Sequence, residues 1–183
     1  MSLRYYQKNI INVINNSNNT ITLIEGERQV GITFTLKELV KQFGQTNQQK
    51  NILYIGPNMD CAMNFIDRNN YDGEASTKTC FTFNNRSKLF LCSPSNYKEK
   101  MRGNRFDLIV IENIEHLHQY FEDIYHFCVP SLTMYTGKLV MTYNEPFVDN
   151  TLYVDLLRRA DSNVITYMYV PRNIINNENN EIN

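Results

Sequence analysis

Two glycines and a threonine in one short stretch give the first chemical signal. Gly26 and Gly31 bracket four residues and Thr33 follows, in the pattern G-x-x-x-x-G-x-T. Glycines at that spacing let the backbone turn tightly and aim its N–H groups at phosphate. A hydroxyl at the last position can hold Mg²⁺, and a lysine just before it would reach the β- and γ-phosphates. Here that lysine is Ile32. The cradle and the hydroxyl are kept and the cation is lost. Arg28, inside the loop, has two readings of equal weight: a bidentate phosphate ligand that partly replaces the missing charge, or a solvated loop arginine. By analogy with deleting one oxyanion donor, losing a charge aimed at the transition state costs about 10²–10³ in rate, about 3–4 kcal/mol. Backbone N–H groups would remain, so weak nucleotide binding can outlive hydrolysis.

A second group lies about 80 residues downstream. Glu112 follows the apolar run from Leu108 to Ile111. A carboxylate at such a strand end helps to hold Mg²⁺, and the next acidic residue orients the attacking water. The usual pair is Asp-Glu; here it is Glu112-Asn113, and Asn113 cannot take a proton. Glu115 and His116 stand close enough in sequence to be considered as substitutes. His116, His118 and His126 lack the spacing of a metal site and read as surface or helix-end residues. Lys98, Lys100, Arg102 and Arg105 form a basic loop region that is solvated by default. No Ser-His-Asp or Cys-His arrangement stands out.

These residues need elements to position them. Leu3 to Ile14 has the apolar spacing of an amphipathic helix. Ile21 to Ile24 is a short buried strand, and Thr33 to Phe43 a helix with Gly44 at its C′ position. The start of that helix faces the loop, which suits an anion. Asn51 to Ile55 is a second strand, Met59 to Ile66 a helix, and Asn69 to Thr77 a loop. Lys78 to Phe83 and Ser87 to Cys92 are expected to pair antiparallel across Asn84-Asn85-Arg86. Ser93 to Gly103 reads as a loop, Asp107 to Ile111 as the most apolar strand, and Ile114 to Cys128 as a helix with Pro130 just beyond. Gly137 to Thr142 is a strand, Asn150 to Ala160 a helix and Asn163 to Val170 a last strand. Continuous apolar strands alternating with helices imply an α/β fold, a mostly parallel sheet covered on both faces. Ligands bind at the carboxyl ends of such strands. That edge would gather the Gly26 loop, Glu112-Asn113 and Thr142-Tyr143-Asn144.

Bulk composition narrows the classes. The chain has 183 residues, 42% hydrophobic and 20% charged, with a net charge of −1. That is one globular domain with no overall nucleic-acid signature. No apolar run approaches the roughly 20 residues of a membrane span, and no signal-peptide segment opens the sequence. Cys61, Cys80, Cys92 and Cys128 show no CxxC spacing and read as reduced, packed thiols of a cytosolic-type compartment.

Several pieces together resemble the ATPase domain of the large terminase subunit, the DNA-packaging motor of tailed bacteriophages, which is related to helicases. Leu3-Arg4-x-Tyr6-Gln7 is similar to that family's L-R-x-Y-Q stretch, whose glutamine reads adenine. Arg28-Gln29-Val30-Gly31-Ile32-Thr33 is similar to its R-Q-x-G-K-T loop, where the arginine is assigned a catalytic role. Arg102-Gly103-Asn104 leading into Phe106 to Glu112 resembles its arginine-glycine loop and Walker B strand. Gly137 to Pro146 resembles its strand and T-x-P-N-G coupling motif. The order agrees over roughly residues 3 to 170.

The resemblance implies a RecA-like P-loop NTPase fold over residues 1–172, followed by an Asn-rich flexible tail at 173–183. It implies ATP contacts at Gln7, Gly26, Arg28, Gln29, Gly31, Ile32 and Thr33, and Mg²⁺ at Thr33 and Glu112. It assigns catalysis to Arg28, Glu112 and Asn113, and coupling to Thr142 and Asn144. It also implies viral DNA, or other packaging-motor or capsid proteins, as partners in a host cytoplasm. The departures are Ile32 for Lys, Glu112 for Asp, Asn113 for Glu, and Thr142-Tyr143-Asn144-Glu145-Pro146 for the coupling motif. The chain also stops where the family's nuclease domain would begin. The expectation is a terminase-like packaging protein with weak or lost ATP hydrolysis. The alternative is a catalytically inactive regulatory or structural protein that binds nucleotide, or only a partner and no cofactor.

Overall fold

Strands and helices alternate along most of the chain, and the strands among the described residues join into one eight-stranded sheet. The computed structural model describes residues 3–66, 71–134, 136–146, 150–162 and 164–174. The side chain of His118 and most of the expected tail, residues 175–183, lie outside the described residues.

The elements run α1 (Tyr5–Asn16), β1 (Ile21–Gly26), α2 (Ile32–Thr46), β2 (Asn51–Ile55) and α3 (Met59–Met63). Next come β3 (Gly73–Thr77), β4 (Cys80–Phe83), β5 (Lys88–Cys92) and α4 (Tyr97–Met101). The last are β6 (Leu108–Ile111), a 3₁₀ helix (Ile114–Tyr120), α5 (Phe121–Ser131), β7 (Lys138–Tyr143), α6 (Thr151–Asp161) and β8 (Thr166–Val170). The strand order is β3-β4-β5-β2-β6-β7-β1-β8. All pairings from β5 to β8 are parallel; β3 and β4 add an antiparallel extension. This is the expected α/β architecture of RecA-like type.

Alternation along each strand builds two cores. Ile24, Ile52, Leu108, Val110 and Val140 point to the face covered by α1 and α2, where Ile10, Ile14, Leu36 and Val40 meet them. Leu23, Leu53, Ile109, Ile111, Leu139 and Met141 point to the other face, against Phe121, Ile124 and Leu156. Each fully buried aliphatic side chain contributes about 1.5–3 kcal/mol. Strands apolar on both faces are what a covered parallel sheet requires.

Several local expectations are corrected. Gly44 does not end α2, which continues to Thr46. A Cβ at Gly44 would run into the ring of Phe83, so the glycine serves a close approach rather than a cap. The end of α2 is closed instead by Asn85, whose Nδ2 donates to the carbonyls of Gly44, Gln45 and Asn47 at 2.7, 3.0 and 2.8 Å. Part of the expected loop 69–77 is strand β3. Its polar sequence GEAST stays mostly exposed, so it carried no apolar alternation. Within the expected loop 93–103, Tyr97 and Met101 bury one face of the short α4. The expected helix from Ile114 divides into a 3₁₀ turn and α5, and Pro130 falls inside the last turn of α5. The cysteines divide too: Cys92 and Cys128 are buried, whereas Cys61 is exposed.

Candidate phosphate-binding cleft

The loop between β1 and α2 is shaped by two residues in the left-handed region. Gln29 has φ 70° and Gly31, the residue before α2, has φ 75°. The first N–H groups of α2 have no intrahelical partner, as at any helix start, and they open toward the loop. A Cβ at Gly26 would lie 2.6 Å from Cγ1 of Ile32. Ile32 therefore folds back under the loop into the apolar core, at 9% exposure. A lysine at this position would have to leave that packing to reach a phosphate.

The loop is pinned from two sides. From α1, the Tyr6 hydroxyl donates to Val30 O at 2.5 Å, and Gln7 Nε2 donates to Gly31 O at 3.3 Å. Gln7 Oε1 accepts from Arg4 N at 2.9 Å. Both ends of the expected adenine-reading amide thus have partners inside the chain. From the β8 side, Glu27 N donates to Val170 O at 3.1 Å. Glu27 also accepts from the Tyr169 hydroxyl at 2.6 Å and from Arg172 N at 2.8 Å. The Tyr169 contact comes first among the causes that lower the Glu27 pKa from its ordinary value. Arg172 Nη2 donates to Gln29 Oε1 at 2.9 Å. Arg28 turns outward and forms an ion pair with Glu145, both side chains largely exposed.

Across the cleft, Glu112 directly follows β6 and is buried, at 4% exposure. Thr33 Oγ1 donates to one of its oxygens and the Tyr54 hydroxyl to the other. Burial first, then the Glu112 charge and hydrogen bond, raises the Tyr54 pKa far above its usual value, so the phenol stays a donor. Asn113 adopts φ 55°, a conformation asparagine tolerates better than most residues. Its N–H donates to Thr142 Oγ1 at 3.2 Å, and its Oδ1 accepts from Asn144 Nδ2 at 2.8 Å. Glu115 Oε1 accepts from Asn144 N at 3.1 Å and Nδ2 at 3.4 Å. Glu115 Oε2 is buried and has no hydrogen-bond partner among the described residues.

Residues 27–33, Glu112, Asn113 and Asn144 line a cavity of about 250 Å³. That is below the 300–1,000 Å³ of pockets that enclose whole drug-sized ligands; it suits a phosphate chain. Of the site residues expected from the sequence, Arg28, Gln29, Gly31, Ile32, Thr33, Glu112, Asn113 and Asn144 line this cavity. Gly26 lies beneath it, Gln7 behind the loop, and Thr142 under Asn113. His116 instead lines a neighbouring cavity of about 350 Å³ with Pro57, Met59, Leu117 and Tyr120, away from Glu112. Glu115 sits behind Asn144. Of the basic group, Lys98 pairs with Asp123 at 2.7 Å and Lys100 donates to Thr79 at 2.8 Å. Sequence reasoning missed Tyr54 as a partner of Glu112. Its place near the carboxyl end of β2, beside β6, was the available signal.

The donor set fits a divalent cation. A threonine hydroxyl and a carboxylate oxygen already lie in hydrogen-bond contact, and Mg²⁺ is held by one or two protein oxygens with phosphates and water filling the rest. No cluster of three or more His, Cys, Asp or Glu side chains suited to a metal exists among the described residues.

No family model and no curated protein matches this sequence. Solved structures do. The large terminase of a thermophilic bacteriophage superposes with a TM-score of 0.73 at 10% identity, over 92% of this chain and 46% of that one. The fold is that of a large-terminase ATPase domain. The same phage's terminase in complex with ATP-gamma-S matches at 0.70 and 11% identity, over 92% of this chain and 45% of that one. The large terminase ATPase domain of a Thermus phage matches at 0.66 and 11% identity, over 98% of this chain and 85% of that one. The chain thus spans less than half of the thermophilic phage's terminase structures and most of the isolated terminase ATPase domain. No helix among the described residues is long and apolar enough to cross a membrane.

Proposed function

We propose that this chain is a terminase-like P-loop protein of viral DNA packaging that binds ATP with Mg²⁺ and hydrolyses it weakly or not at all. The observation that carries the reading is the Thr33–Glu112–Tyr54 hydrogen-bonded set opposite the glycine-bracketed loop. Mg²⁺ bound there would neutralise phosphate charge and polarise the terminal phosphoryl group. The loop and the start of α2 would hold phosphate oxygens through N–H groups. Glu112, fixed by Tyr54, would keep Thr33 oriented toward the cation. Ile32 has no cation to stabilise charge in the transition state, and Asn113 has no group that takes a proton from water. Arg28, at the rim of the cleft, is engaged with Glu145. The ATP-gamma-S complex of the structurally similar phage terminase supports nucleotide as the ligand class.

A second reading is a catalytically inactive regulatory or structural protein that acts through a partner. The burial of Ile32 and the outward Arg28 favour it. Calorimetry with ATP-Mg²⁺, with phosphate release followed in the same sample, separates the two. Binding with little turnover is expected. Absence of binding at millimolar ATP would sink the first reading and leave the partner-based one.

A further inference from the structure

The cleft wall opposite the loop has a fixed polarity, and its consequence rests on the nucleotide-binding reading above. Glu115 is buried, and its Oε1, which already accepts from the Asn144 backbone N–H, faces the Asn144 amide as an acceptor. Asn144 must therefore turn Nδ2 rather than Oδ1 toward it, at 3.4 Å, while the Asn144 backbone N–H donates to the same oxygen. The second hydrogen of that amide goes to Asn113 Oδ1 at 2.8 Å. One buried acid thus fixes the orientation of two amides in series. Asn113 Nδ2 is left with no hydrogen-bond partner among the described residues, and Asn113 lines the cleft beside Thr33 and Glu112.

We propose that Glu115, acting through Asn144, holds the Asn113 amide as a hydrogen-bond donor into the cleft, making this wall a receptor for the terminal phosphate of a nucleoside triphosphate. The position at which an ATPase places an acceptor for water is here a donor for an anionic oxygen. Phosphates held by the loop fill the cleft from the α2 side, so the group that reaches Asn113 is the last in the chain. The site then favours triphosphate over diphosphate without needing to cleave it. Asn113 is the binding residue; Asn144 and Glu115 are positioning residues.

The test is calorimetry on the full chain with Mg²⁺, using ADP and a nonhydrolysable ATP analogue as probes. The triphosphate should bind about 10-fold or more tighter than ADP, the worth of one charge-assisted hydrogen bond. Asn113→Asp keeps the size, tolerates φ 55°, and replaces the donor with a negative acceptor. It should abolish the triphosphate preference and leave ADP affinity within about 2-fold, since ADP does not reach this wall. Glu115→Gln is isosteric but can donate, so it releases the amide order and should also shrink the preference. A merely structural role for Glu115 would lower both affinities together. Equal affinity of the parent for both probes, or a preference that survives Asn113→Asp, overturns the inference and leaves nucleotide binding intact. Binding of neither probe overturns both.

Discussion

At the scale of the residue, Ile32 and Asn113 govern what the cleft can do. Ile32→Lys with Asn113→Glu should raise ATP turnover by at least about 10²–10³-fold, the range for a single transition-state contact, since two are returned. Steady-state phosphate release checks this, and no gain would mean that the loop cannot release residue 32 from its packing. The same pair should lower stability. Lysine forfeits core contacts, and glutamate is less at ease than asparagine at φ 55°. The change at 32 costs about 1.5–3 kcal/mol and that at 113 about 1 kcal/mol, readable as a lower urea midpoint. Tyr54→Phe should cost about 1–3 kcal/mol, because it leaves a buried Glu112 oxygen without its donor. The same substitution should weaken ATP-Mg²⁺ binding in calorimetry. The losses at 32 and 113 were legible in the sequence because they break a fixed pattern. The partnerships of Tyr54, Glu145 and Arg172 were not, since a hydrogen bond between distant segments leaves no local spacing.

At the scale of the element, α2 shows where local rules yield to tertiary contact. Glycine after an apolar helical run is ordinarily a stop signal, yet Gly44 is buried inside the helix beneath Phe83. Gly44→Ala would gain about 1 kcal/mol of helix propensity. Overpacking a buried ring costs about 1–3 kcal/mol. Phe83 is 2% exposed and has little room to move, so net destabilisation is expected in urea unfolding. An unchanged or higher midpoint would show that the ring yields. Strands β1, β2, β6 and β7 could be read from the sequence because burial on both faces makes their centres continuous apolar runs. Strand β3 could not, because an exposed edge places no such demand on its residues.

At the scale of the whole molecule, buried phenols tie the fold to pH. Burial, with lesser help from hydrogen bonds to Glu112 and Glu25, raises the pKa values of Tyr54 and Tyr143 above their ordinary value. A folded pKa above the unfolded one adds stability that is present below about pH 10 and is lost as pH climbs past it. Urea midpoints should therefore hold steady near neutrality and fall above about pH 10, less steeply in Tyr54→Phe. A flat profile through the alkaline range would contradict the burial of these hydroxyls.

The anchoring of the loop by Tyr6 and Gln7 on one side and by Val170 and Arg172 on the other has a wider consequence. A loop whose shape is held by its neighbours does not need its ligand to stay in shape. Substitution at residue 32 or 113 should then leave the cradle in place. The shape of the cradle is thus a property of the surrounding fold rather than of the residues at 32 and 113.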